Sequence, residues 1–141
     1  MNANDVTLTG LATAQSGSMV AGNVPNAPAS GNFDLVLEAA AGSALGSSGT
    51  PYTLTISGID LTTVSQPWPP RTLHQAFDAA DGWQLSGAGP DYQCTQTFPV
   101  AVPGDGLGGP LAGHTLQFVA SLISDGAQIA FIIQSNPFIL F

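Results

Sequence analysis

Beside its nine carboxylates, few side chains in this sequence could act as base, nucleophile or metal ligand near neutral pH: two histidines, His74 and His114, and one cysteine, Cys94. A serine hydrolase of the nucleophile-elbow kind needs Gly-x-Ser-x-Gly between a strand and a helix, and no such string occurs. Either histidine could still meet one of the nine acids and a serine through folding, but each is expected as a surface or loop-end residue. His114 stands directly before an apolar run, where a polar residue belongs in any case. Cys94 alternates with Tyr92 on what reads as an inward face. That makes it a buried structural thiol, because activation needs a neighbouring cation and Arg71 is the only strong base.

Metal chemistry finds little more. One cysteine and two distant histidines give no zinc spacing. Asp78, Asp81 and Asp91 fall around turns, and Asp105 sits in a GDGLGG string, so loop carboxylates could face a hard cation. None follows the calcium-loop pattern, and aspartate in turns is ordinary turn chemistry. Glu38 and Asp34 would share an outward strand face, where solvation explains them more simply than a paired-carboxylate mechanism does. The expectation is no enzyme, no cofactor and no metal.

The aromatic residues offer a different chemistry. Trp68 lies among prolines in QPWPP, Trp83 follows Gly82, and Tyr92 opens an alternating stretch. Exposed rings of this kind stack on the apolar faces of sugars in carbohydrate-binding modules. The simpler account places each tryptophan as a cap on one end of a core. Whether Trp68 and Trp83 share one surface or sit at opposite ends decides between the two.

Composition narrows the partners. The chain has 141 residues, long enough for a single domain, 1–141, to bury a core without disulfides. Seventeen glycines and eleven prolines favour short strands and many turns over long helices. Charged residues make up 7% of the chain, lysine is absent, and the net charge is −8. Such a surface repels phosphate, so nucleic-acid and anionic-membrane partners are not expected. Apolar runs fall well short of the roughly 18 residues of a membrane helix. The N-terminus MNANDVTLTG lacks the positive and apolar regions of a secretory signal, so no compartment is assigned; an extracellular or surface location stays open if a signal has been removed.

The elements that would position these residues are strands. Alternation marks Asp5–Leu11, Asn32–Ala39 (Phe33, Leu35 and Leu37 on one side) and Tyr52–Ser57, with Gly58 read as a bulge or bend and Ile59–Val64 as an extended continuation. A further short strand is possible at Ser18–Ala21. Gln66–Pro70 must cross in an extended, polyproline-like form. Arg71–Ala80 has both helical and strand spacings and is read as strand or irregular, since its neighbours are β. Trp83–Leu85 is a short strand, and Asp91–Val102 carries Pro99, which marks an edge or an end. The apolar runs Leu116–Ile123 and Gln128–Ile133, joined through Asp125-Gly126, read as a hairpin at the buried centre. Phe138–Phe141 is a final strand.

About seven to nine short strands at this spacing imply an all-β antiparallel β-sandwich, immunoglobulin-like or a related Greek key, with a jelly roll as the alternative. The expected function is a structural or assembly module that associates with itself or another protein, as a homo-oligomer. A surface starved of charge favours association. The strand Phe138, Ile139, Leu140 and Phe141 could complete its own sheet or lie along a neighbour's edge. The second expectation, from another class, is a carbohydrate-binding module using Trp68, Trp83 and Tyr92.

Overall fold

The computed structural model describes residues 1–15, 17, 32–103, 109–124 and 130–139. These form nine strands: β1 (Val6–Gln15), β2 (Asn32–Ala41), β3 (Pro51–Asp60), β4 (Arg71–Ala76), β5 (Gln84–Leu85), β6 (Tyr92–Ala101), β7 (Thr115–Ser124), β8 (Ala130–Gln134) and β9 (Phe138–Ile139). One sheet has the order β1-β2-β6-β5 and the other β4-β3-β7-β8, with β9 added along β7. All pairings are antiparallel. The chain is an all-β sandwich.

Period-two patterning explains why the sheets face each other. Phe33, Leu35 and Leu37 of β2 meet Tyr52, Leu54 and Ile56 of β3 and Leu116, Phe118 and Leu122 of β7 in one continuous core. Two ring clusters fill its ends. Phe33, Trp68, Phe118 and Phe138 make edge and stacked contacts with centroids 5.3–6.2 Å apart. Tyr52, Phe77 and Trp83 form the second, with centroids 4.7–6.4 Å apart. In β3, Tyr52 pairs with Ser124 at one end of β7, while Gly58 pairs with Phe118 nearer the other end, so the clusters occupy opposite ends of the sandwich.

Several local expectations change. Gly58 is no bulge: β3 keeps one register with β7 from Tyr52 to Asp60. Glycine is required there because a Cβ would lie 2.6 Å from Trp68 Cε3 and 2.8 Å from Phe118 Cε1. The irregularity sits in β1 instead, where the register with β2 shifts between Leu8 and Gly10. β3 stops at Asp60, and the chain turns back through an isolated Asp60–Ser65 bridge rather than continuing extended. Arg71–Ala76 is a strand, followed by a 3-10 turn at Ala79–Asp81 closed by Gly82 at φ 91.

The last hairpin is only half a buried centre. β7 lies between β3 and β8, but β8 is an edge strand whose Ile132 is 66% exposed. Its arms pair Ile123 with Ala130, two residues beyond the register that a two-residue Asp125-Gly126 turn would set. The turn lies outside the described residues, as do Ser18–Ala21, Leu140 and Phe141. The Asp34–Glu38 face is also less solvated than expected. Glu38 is exposed, but Asp34 is buried and accepts a hydrogen bond from the Gly17 N–H at 2.9 Å.

Candidate functional site

β4 is the edge of one sheet, and β6 is uncovered in the other beyond the two residues that β5 pairs, Tyr92 and Gln93; side chains join the two strands across this open flank of the sandwich. Gln75 and Gln96 exchange amide hydrogen bonds, Gln96 Nε2 to Gln75 Oε1 at 2.9 Å and Gln75 Nε2 to Gln96 Oε1 at 3.2 Å. The Tyr52 hydroxyl donates to Gln75 Oε1 at 2.9 Å and accepts from the Trp83 indole at 3.1 Å. Burial is the main reason the Tyr52 phenol is pushed up, from 10.0 to about 12, against the lowering effect of the Trp83 bond. Cys94 donates to the Asp81 carbonyl at 3.4 Å, and burial pushes its thiol up. A raised thiol is a poor nucleophile.

Further along the same flank the edges part, and a groove of about 370 Å³ opens. Its floor is buried apolar core, Leu35, Ile56, Phe98, Val100 and Phe118. The QPWPP segment forms one wall. Its tryptophan is half-buried, stacks on Phe118 at 5.3 Å and donates its indole N–H to the Ala101 carbonyl at 2.7 Å. Arg71, on the core-facing side of β4, reaches the rim. It donates from Nη2 to the Pro99 carbonyl at 3.2 Å and holds its guanidinium 5.7 Å from the Phe98 ring centre. The carbonyls of Pro99 and Ala101 therefore point out of the sheet edge, and Pro99 has no N–H to offer there. This edge of β6 is closed to another strand.

A second polar cluster lies at the end of β3. Asp60, 1% exposed, accepts from His114 Nδ1 at 2.7 Å and from the Thr62 and Thr63 N–H groups at 2.9 and 3.3 Å. Burial raises its carboxyl, but the hydrogen bonds from His114, Thr63 and Thr62 outweigh it and hold the group below its ordinary range. The bond clips the turn after β3 to the start of β7. Sequence reasoning named His114 and missed Asp60, because no periodicity relates positions 54 residues apart.

The residues singled out in the sequence do not form one surface. Trp83 is 2% exposed, inside the Tyr52–Phe77 cluster, and Trp68 lies at the other end. Tyr92 is half-buried against Gly46, where a Cβ would clash with its ring. Asp78 and Asp81 serve the 3-10 turn: Asp81 Oδ2 accepts from the Ala76 N–H at 2.8 Å and Asp78 Oδ1 from the Asp81 N–H at 3.0 Å. Asp105 lies outside the described residues, among which no three His, Cys, Asp or Glu side chains gather as a metal site. Nor is any helix among them long and apolar enough to cross a membrane. Phe138 is buried against Phe33 and Phe118, and Ile139 pairs with Thr115, so this strand completes its own sheet.

No protein-family model matches the sequence. No curated relative matches it. Among solved structures, a Bordetella pertussis protein assigned as ApaA is similar at a TM-score of 0.35 and 10% identity, over 97% of this chain and 94% of that one. Likeness of that degree carries no functional argument.

Proposed function

We propose that this chain is a structural or assembly module, an immunoglobulin-like sandwich that pairs with a second copy of itself through the outer face of the β4-β3-β7-β8 sheet. The order β1-β2-β6-β5 against β4-β3-β7-β8 follows the A-B-E-D and C′-C-F-G arrangement of such sandwiches. One observation carries the functional reading. Among the described residues, that outer face holds no carboxylate, lysine or arginine, although the chain has nine acids. Its outward positions are Thr53, Thr55, Ser57 and Ile59 of β3, Gln117, Val119, Ser121 and Ile123 of β7, Ile132 and Gln134 of β8, and Thr72 and His74 of β4. Ile123 is 45% and Ile132 66% exposed.

A charge-free patch with exposed isoleucines is the part of this molecule that loses least by leaving water. From strand spacing and rise, the face covers about 500 Å² in projection. That is below the roughly 800 Å² per partner of a standard interface, so the pairing is weak, with dissociation in the micromolar range or above. Sedimentation velocity over a concentration series tests it. The expected result is a reversible dimer that Ile132→Lys abolishes with thermal stability unchanged. A wild-type chain that stays monomeric at millimolar concentration would overturn the proposal. Carbohydrate recognition by Trp68, Trp83 and Tyr92 has no common surface to work from.

A further inference from the structure

We propose that the groove beside Trp68 is a binding site for a small amphipathic monocarboxylate, its apolar body lying over Phe98 and Phe118 and its carboxylate held by Arg71. The volume of about 370 Å³ is within the usual span of small-molecule sites, roughly 300–1,000 Å³. Its lining is otherwise Leu, Ile, Val, Ala, Gly, Pro, Phe and Trp, with no hydroxyl, amide or carboxyl side chain. A sugar would bring several hydroxyls that, Arg71 apart, find no side-chain partner and would be desolvated at a loss. An apolar ring or short alkyl chain meets walls of its own kind.

Charge selects the rest of the ligand. Arg71 is the chain's only lysine or arginine, and among the described residues no carboxylate pairs with it. In a chain of nine acids, that leaves a cation at the mouth of an apolar groove with donors to spare beyond the one given to Pro99. The guanidinium fork matches a carboxylate in two parallel hydrogen bonds. One arginine set against a net charge of −8 favours a single negative charge over a phosphate dianion. A peptide strand is a poorer occupant, because the outward carbonyls of Pro99 and Ala101 already accept from Arg71 and Trp68.

The test uses the intact chain and three probes of one shape: 4-phenylbutyrate, 4-phenylbutanamide and 4-phenylbutylamine. The two tryptophan indole N–H signals in a nitrogen–proton correlation spectrum read the site and its control. 4-Phenylbutyrate is expected to shift Trp68 and leave Trp83 in place, with Kd about 0.1–1 mM, as befits a ligand of this size. The amide and the amine should bind at least about tenfold more weakly, and Arg71→Gln should weaken the carboxylate by a similar factor while leaving the amide unaffected. Equal affinity for acid and amide would overturn the proposal. So would an unmoved Trp68 signal at about 10 mM 4-phenylbutyrate. Neither result bears on dimer formation, which uses the opposite face of that sheet.

Discussion

A methyl group at position 58 would lie 2.6 Å from the Trp68 ring and 2.8 Å from Phe118, inside the closest approach that carbon atoms tolerate. Gly58→Ala is therefore expected to lose about 1–3 kcal/mol in urea denaturation, and to alter the near-ultraviolet circular dichroism of the stacked rings. In a strand, glycine signals either a bulge or a close approach of another group. Apolar residues pass from even positions (Tyr52, Leu54, Ile56) to odd ones (Ile59, Leu61) across Gly58, which in sequence reads as a bulge, whereas the rings that crowd it come from separate segments, so only the folded chain distinguishes the two. Asp60 carries the acid sensitivity at this scale. Its folded carboxyl lies below the ordinary value, so the unfolded chain takes up the proton first. The stability it contributes is complete above the ordinary carboxylate pKa and is lost as pH falls through the depressed folded value. Asp60→Asn should flatten that part of a stability–pH profile measured by urea denaturation. Tyr52 works in the alkaline direction: with its phenol raised from 10.0 to about 12, stability is full below pH 10 and falls away across that interval. Absorbance at 295 nm during a pH titration should show this tyrosine ionising only as the fold is lost.

Among the elements, β4 and β6 illustrate how far pattern carries. Tyr92–Ala101 alternates clearly and contains Pro99, and both features survive in the structure: β5 covers only Gln93 and Tyr92, leaving Pro99 on open edge. Arg71–Ala76 has spacings for helix and strand alike, and what settles it is pairing with Tyr52–Ile56, a tertiary fact. β8 is the converse case. Its unbroken apolar composition suggests burial on both sides, yet it ends a sheet and turns Ile132 outward. The reciprocal amides of Gln75 and Gln96 hold the two sheet edges together, so either alanine substitution should lose about 1–2 kcal/mol, mostly from the stranded partner. The double substitution should cost less than the sum, by roughly 0.5–1.5 kcal/mol in a denaturation-based double-mutant cycle.

At the scale of the whole molecule, acidity and association oppose each other. Two copies meeting each carry a net charge of −8, so screening should favour the dimer, and raising salt from about 0.05 to 0.5 M should tighten it in sedimentation. Association driven by ion pairs would weaken under the same change. The sandwich was legible because alternation in Asn32–Ala39 and Tyr52–Ser57 is strong and helix signals are few. The groove was not. Its walls come from β2, β3, β6, β7 and the QPWPP crossing, and of its residues only Trp68 stood out by type. Such a site exists only as a product of packing.

The sequestered sulfur of Cys94 has a practical consequence. It is 4% exposed and faces the Asp81 carbonyl, so a thiol reagent must wait for the sandwich to open before it can react. Labelling of the native chain thus becomes a clock, its rate reporting how often the β6 flank exposes its interior, with no engineered probe required. Adduct mass against time, read with and without 4-phenylbutyrate, would show whether a filled groove slows that opening.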